Sequence, residues 1–216
     1  MAQQQTIETE GWTFFDWLQA NTKAVGIGAA VVVVGALGLW FYQRSAELKR
    51  VNAERGLNQA KQSIAAGNAP LAQTDLERVA TRYKGTPAGA QAAMLLAQMR
   101  YDEGKFAEGL QLLQAYRSSA GPAEASVVAL IADGHLASGN SQEAADAYED
   151  AAEATSMKGA KAMYESKAAR ALMAAGKNAE AKAIWERLLA NPDAAVIWNE
   201  AQMRLGELSV VPAGRT

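Results

Sequence analysis

The segment from Ala24 to Tyr42, AVGIGAAVVVVGALGLWFY, contains no charged residue and lies between Lys23 and Arg44. At helical rise its nineteen residues cover about 28 Å, close to the ~30 Å of hydrocarbon in a bilayer. A buried core helix of this length would carry polar residues on its outer side. This run carries aromatic groups at its edges instead: Trp12, Phe14, Phe15 and Trp17 before it, Trp40, Phe41 and Tyr42 at its end. Such residues anchor a spanning helix at the two interfaces. The run is longer than a signal-peptide core and no small-residue cleavage site follows it, so the helix is expected to stay in the mature chain. The predicted division is a short tail over 1–22 with an interfacial aromatic segment, a transmembrane helix over 23–43, a soluble domain over 44–208 and a tail over 209–216.

Within the run, Gly26 to Val31 has the look of a dinucleotide-binding fingerprint, but no strand precedes it and no amphipathic helix follows, so that reading is rejected. Helical geometry places Ala24, Gly28, Gly35 and Gly38 roughly along one face, a candidate packing surface for another membrane helix. The competing reading is that small residues are simply common in spanning helices.

Half of the 216 residues are apolar, enough for one anchor and one domain with a continuous core. The net charge of −2 gives no electrostatic case for nucleic acid. Cysteine is absent, which removes disulfides, thiol nucleophiles and thiolate metal sites together. No cofactor, metal or small-molecule substrate is expected, and no catalytic constellation appears.

Beyond the anchor the chain is alanine-rich, with helical periodicity throughout. Gly67, Gly104, Gly139 and Gly176 recur at intervals of 37, 35 and 37 residues, in the range of helix-pair repeats. Seven residues before them stand Ala60, Ala97, Ala132 and Ala169; five after stand Ala72, Gly109, Ala144 and Ala181; nine after stand Leu76, Leu113, Tyr148 and Trp185. Small positions let two helices approach and the large one fills the gap. This order resembles the tetratricopeptide repeat. It departs from it where an aromatic is usual, at Ser63, Arg100, His135 and Leu172, so the repeats are degenerate. The fold class is all-α: one N-terminal transmembrane helix, then a solenoid of about four helix pairs and a closing helix over about 193–207, packed through Val196, Ile197 and Leu205. Thr86-Pro87, Gly121-Pro122 and Asn191-Pro192 mark helix starts, and Asn68, Ser141 and Asn178 are candidate caps. No proline stands between Gly38 and Gly67, and the single glycine there is Gly56, so the spanning helix can run on into the first repeat unless Gly56 is a hinge.

The acidic tail, aromatic stretch, NTKAVGIGAAVVVVGALGLWFYQ anchor and degenerate repeats together resemble the ancillary SecYEG translocon subunit (YfgM-like) family of bacterial inner membranes. That resemblance implies a cytoplasmic amino terminus, a periplasmic repeat domain, and the protein-export channel and periplasmic chaperones as partners. The charge count argues the reverse orientation, since Arg44, Lys49, Arg50 and Arg55 follow the span and only Lys23 precedes it.

By offset from the glycines, the expected concave lining is Leu57, Lys61 and Ile64; Met94, Gln98 and Tyr101; Asp133 and Leu136; and Met163, Arg170 and Met173. This methionine-rich set suits varied polypeptide segments, although a tightly wound array would bury several as core. His135, the single histidine, reads as a packed structural residue. Glu143, Asp146, Asp150 and Glu153 form an acidic stripe that is either a solvated face or a dock for a basic partner. The leading expectation is a non-catalytic, single-pass scaffold that binds polypeptides beside an integral-membrane complex. The alternative is a structural extrinsic subunit that stabilises a photosynthetic reaction-centre and antenna or respiratory complex.

Overall fold

Each of the four periodic glycines turns the chain by the same device. Gly67, Gly104, Gly139 and Gly176 all have positive φ, from 71° to 86°, a region that side-chain-bearing residues enter at a cost. At each, the glycine N–H donates to the carbonyl three residues back, and the next N–H donates five residues back: Gly67 to Ile64 and Asn68 to Ser63, both 2.9 Å, and likewise at the other three. This is the Schellman arrangement, which satisfies carbonyls that a helix end leaves without partners.

The computed structural model describes residues 22–210, the side chains of Ala24, Val25 and Val210 excepted. The expected tails and the aromatic residues Trp12, Phe14, Phe15 and Trp17 lie outside this range or at its edge. Helix α1 (Thr22–Ala65) is followed by α2 (Ala69–Arg82), α3 (Pro87–Asp102), α4 (Phe106–Arg117), a 3-10 turn (Gly121–Ala123), α5 (Glu124–Ala137), α6 (Ser141–Glu153), α7 (Lys158–Ala174), α8 (Asn178–Ala190), a second 3-10 segment (Pro192–Ile197) and α9 (Trp198–Val210). No strand occurs among the described residues.

The chain forms two units, one ending at Leu48 and one beginning at Lys49. The first contains the apolar part of α1. There Ile27, Val31, Val32, Val33, Val34, Leu37, Leu39 and Phe41 are all more than half exposed. Burying a side chain of this kind stabilises by about 1.5–3 kcal/mol. Eight left in water forgo about 12–24 kcal/mol, as much as the ~5–15 kcal/mol net stability of a whole domain or more. Among the described residues this is the one helix long and apolar enough to cross a membrane.

In the second unit the repeat grammar translates directly into packing. Ala60, Ala97, Ala132 and Ala169 are fully buried, as are Ala72, Ala144 and Ala181. Leu76, Leu113, Tyr148 and Trp185 fill the space those small residues open, each at most 2% exposed. Successive helices pack antiparallel within pairs, and α2 packs on α3, α4 on α5 and α6 on α7 between pairs. One apolar cluster joins the first two pairs to Val127 and Ile131 of α5. A second joins α5 to α9 around Tyr148, Trp185 and Leu188. No pair buries its apolar faces alone, so the stack is stable as neighbours add.

Gly56 lies inside α1, where a Cβ would come within 2.7 Å of Val79 Cγ2. Its missing side chain therefore lets α1 and α2 approach closely.

Four helix starts differ from the sequence reading. Asn68 and Thr86 cap their helices through side-chain acceptors, but Ser141 and Asn178 are first helical residues. The residue after each glycine, Asn140 or Lys177, occupies the cap position and makes no side-chain cap bond, because the glycine turn already sets it there. Gly121-Pro122 opens a 3-10 turn, and α5 begins at Glu124. The closing helix begins at Trp198: the Asn191 side chain accepts from the Asp193 N–H at 3.0 Å, the Trp198 indole donates to the Asn191 carbonyl at 3.1 Å, and Ala194 leaves helical geometry. Ile197 is buried and Leu205 partly so, but Val196 is exposed.

Candidate protein-interaction surface

The first helices of the pairs, α3, α5 and α7 with the Lys49–Ala65 portion of α1, carry the expected concave set. The structure divides that set. Leu57 and Tyr101 are buried in the N-terminal core and present no binding surface, a correction to the sequence reading. Met94 and Met173 are half-buried and packed against the N-terminal and C-terminal cores respectively. Lys61, Ile64, Gln98, Leu136, Met163 and Arg170 are exposed, and Gln98 donates to Asp102 at 3.0 Å.

Tyr101 is buried because two glycines open a slot for it. A Cβ on Gly109 of α4 would meet its ring edge, and one on Gly134 of α5 would meet its hydroxyl end. The hydroxyl donates to the Leu130 carbonyl at 3.3 Å. Burial, with the charge of Asp133 added, pushes its pKa up to about 12.

Asp133, Leu136 and Arg170 come together with Tyr148 and Lys167 around a groove of about 240 Å³ between α5 and α7. Tyr148 donates its hydroxyl to Asp133, and Lys167 donates to the same carboxylate oxygen at 3.0 Å. The Lys167 ammonium also stands 5.1 Å from the centre of the Tyr148 ring, within cation–π range. Burial first, then the bond to Asp133, raises the Tyr148 pKa far above the ordinary tyrosine value. Arg170 reaches Glu200 of α9 at 3.5 Å. The groove thus offers Lys167 and Arg170 at a rim beside Leu136, with their positions set by carboxylates behind them. Charged groups held this way fix the orientation of a polar ligand more than they add raw affinity.

Sequence reasoning missed Lys167, Tyr148 and Glu200 here. Tyr148 reads correctly as the large residue of its repeat, but nothing in that role shows that its hydroxyl donates to Asp133 of α5. Lys167 had one available signal: it stands nine residues before Gly176, where the two preceding repeats have Leu95 and Leu130. His135 is half-buried, and its Nδ1 is buried without a hydrogen-bond partner. Among the described residues no group of three or more His, Asp or Glu is placed to hold a metal. In the apolar unit, Gly28, Gly35 and Gly38 have open space where a Cβ would stand; the Ala24 side chain lies outside the described set.

The sequence matches the family model of the tetratricopeptide repeat-like domain over residues 16–210. The chain belongs to this tetratricopeptide repeat-like family. Two solved structures are similar to it, both of a kinesin light chain-type protein from Podosopora anserina with nearly identical TPR-like repeats. One aligns with a TM-score of 0.56 at 18% identity, covering 73% of this chain and 85% of that one. The other, a glutamine-to-methionine variant of that protein, aligns with a TM-score of 0.53 at 19% identity, covering 73% and 93%. At these identities the likeness concerns the fold. No curated protein matches the sequence. The TPR-like repeat fold is that of a protein-interaction scaffold, typically without enzymatic activity, and protein partners follow from it.

Proposed function

We propose that this TPR-like protein is a non-catalytic, single-pass membrane adaptor whose concave face binds polypeptide segments beside an integral-membrane complex. The observation that carries the reading is the composition of α1. Its apolar stretch leaves Ile27 to Phe41 uncovered on every side, and the same helix continues to Ala65 within the first repeat. A bilayer is the solvent that suits such a surface. The groove around Asp133, Leu136, Lys167 and Arg170, with Met163 exposed on α7, supports polypeptide binding by combining orienting charges with adaptable apolar contacts.

The layout supports the protein-export channel of a bacterial inner membrane as the complex, with periplasmic chaperones as neighbours and the repeat domain in the periplasm. Purification from membranes in mild detergent, followed by identification of bound proteins, tests this. Export-channel subunits with several substoichiometric clients are expected; one stoichiometric respiratory or photosynthetic assembly would replace the adaptor by a structural subunit. Protease added to intact spheroplasts is expected to digest the repeat domain, and protection until lysis would place it in the cytoplasm.

A further inference from the structure

A second surface lies at the open end of the stack, on the α1–α2 pair. Asn52, Arg55, Gly56 and Gln59 of α1, spaced i, i+3, i+4 and i+7, face Arg78, Val79, Arg82 and Tyr83 of α2 across a groove of about 380 Å³. Arg55 and Arg82 make no ion pair among the described residues, and the Arg82 guanidinium lies 5.9 Å from the Tyr83 ring centre. Arg78 is held from behind by the buried Asp75 at 2.6 Å. The three other grooves described in this unit mix signs: Arg100 with Glu77 and Glu108, Lys161 and Arg187 with Glu149, Glu153 and Glu165, and Lys167 and Arg170 with Asp133. Here cations line the groove without a carboxylate.

The repeat itself shows what fits such a position. Counted from the turn glycines, Arg55 corresponds to Ala92, Val127 and Tyr164, and Gln59 to Leu96, Ile131 and Ala168, all buried except the half-buried Tyr164. They are buried because a preceding second helix packs there, α2 on α3, α4 on α5 and α6 on α7. Among the described residues no second helix of a preceding pair packs on the α1–α2 pair. Arg78 corresponds to Arg187, and the groove holding Arg187 is covered by Glu149, Ala152 and Glu153 of α6. The corresponding residues of α2, Glu77, Ala80 and Thr81, cover the next pair in the same way. These two junctions are thus each closed by a helix that presents a small residue, Ala80 or Ala152, for close approach, and over the Arg187 groove that helix adds carboxylates four residues apart, Glu149 and Glu153.

We propose that the α1–α2 end face receives one further helix from a partner protein, bearing carboxylates at i and i+4 with a small residue between them, which extends the stack by one element. Arginine forks bind carboxylates in paired geometry, and the Asn52 and Gln59 carboxamides would offer the incoming helix further donors and acceptors. A second copy is a poor occupant, because its own Glu149 and Glu153 already line a groove with Lys161, Glu165 and Arg187, the last of which pairs with Glu165 at 3.6 Å. The surface is separate from the concave face and does not depend on it.

The test uses the full chain in mild detergent and, as probe, a fluorescein-labelled synthetic peptide of residues 141–154, read by fluorescence anisotropy. Saturable binding that weakens with salt is expected, reduced at least tenfold by Arg55→Glu with Arg82→Glu and largely retained by Arg55→Lys with Arg82→Lys. A peptide with glutamine at both positions 149 and 153 is expected to lose binding to the same degree. Absence of saturable binding, or equal binding by the reversed variant, overturns the proposal; if that variant is misfolded by circular dichroism, Arg55→Gln with Arg82→Gln takes its place. Displacement by inorganic phosphate where chloride has no effect would assign the groove to a phosphate ligand and also overturn it. So would a concentration-dependent dimer in sedimentation that the reversed variant abolishes, since the occupant would then be a second copy. Release of clients from the concave face is read by copurification, so the two surfaces succeed or fail separately.

Discussion

The hydroxyl end of Tyr101 occupies the space in which residue 134 would carry a Cβ, so Gly134 is the seat of a side chain from the preceding pair. Alanine at 134 gains about 1 kcal/mol of helix propensity. It also drives the ring out of its slot and breaks the bond to Leu130 one turn away. Overpacking of this kind costs about 1–3 kcal/mol, and loss of a buried hydrogen bond adds about 1 kcal/mol, so the clash wins. The net loss of about 1–3 kcal/mol means that Gly134→Ala is expected to lower the melting temperature by about 2–12 °C in this size of domain. Adding Tyr101→Leu, which removes the colliding atoms, recovers part of the loss in a thermal melt followed by circular dichroism.

Alkaline pH tests the same residue and its neighbour Tyr148. In the unfolded chain a tyrosine ionises near its ordinary value of ~10, whereas Tyr101 holds its proton to about 12 and Tyr148 beyond that. Between those values the folded state binds more protons, so stability falls as pH rises from about 10. Urea midpoints are expected to drop across this interval and to drop less in Tyr101→Phe. Absorbance titration at the phenolate band of the folded protein should show these two hydroxyls ionising above the ordinary tyrosine value.

The helix-pair grammar was legible in the chain because it depends on local backbone geometry: a sharp reversal between helices needs a left-handed residue, and glycine at a fixed interval supplies it. The fully buried Ala60, Ala97, Ala132 and Ala169 followed from the same count. The concave face was less legible, because offset alone does not say how far a neighbouring pair covers a position. Tyr101 has the offset of a lining residue, yet Gly109 and Gly134 on two other helices draw it into the core. Lys167 and Glu200 join the site only through contacts made after folding, between helices distant in sequence. The closing helix was misplaced because Asn191-Pro192 signals a helical start but does not distinguish a 3-10 turn from an α-helix.

Of the expected concave set, Met163 is the most exposed apolar residue, and its replacement leaves both cores intact, unlike that of Met94 or Met173. Met163→Glu is expected to change the melting temperature little, as surface substitutions do within about 0.5 kcal/mol, while reducing copurified clients severalfold. Lys167→Ala has a mixed result: Asp133 keeps Tyr148 as donor but loses its cation. Client binding should therefore fall along with a modest loss of stability. Unchanged client recovery from a folded Met163→Glu protein would remove the concave face as the binding surface.

Glu149 gives a pH-dependent test on the outer helices. Burial first, then the charges of Asp146, Glu153 and Glu165, raise its pKa, and Arg187 offsets this only in part. An acid raised in the folded state is most costly when ionised, so the penalty is present above its folded value and absent below its ordinary range. Glu149→Gln removes the charge and keeps the shape. It is expected to raise the melting temperature at pH 7 by about 1–2 °C, with the gain shrinking as pH falls and gone below about pH 4, where the parent carboxyl is protonated in both states. A gain that persists at low pH would show that the charge is not its cause. A loss at neutral pH would mean that the attraction of Arg187 outweighs the crowding of the acidic neighbours.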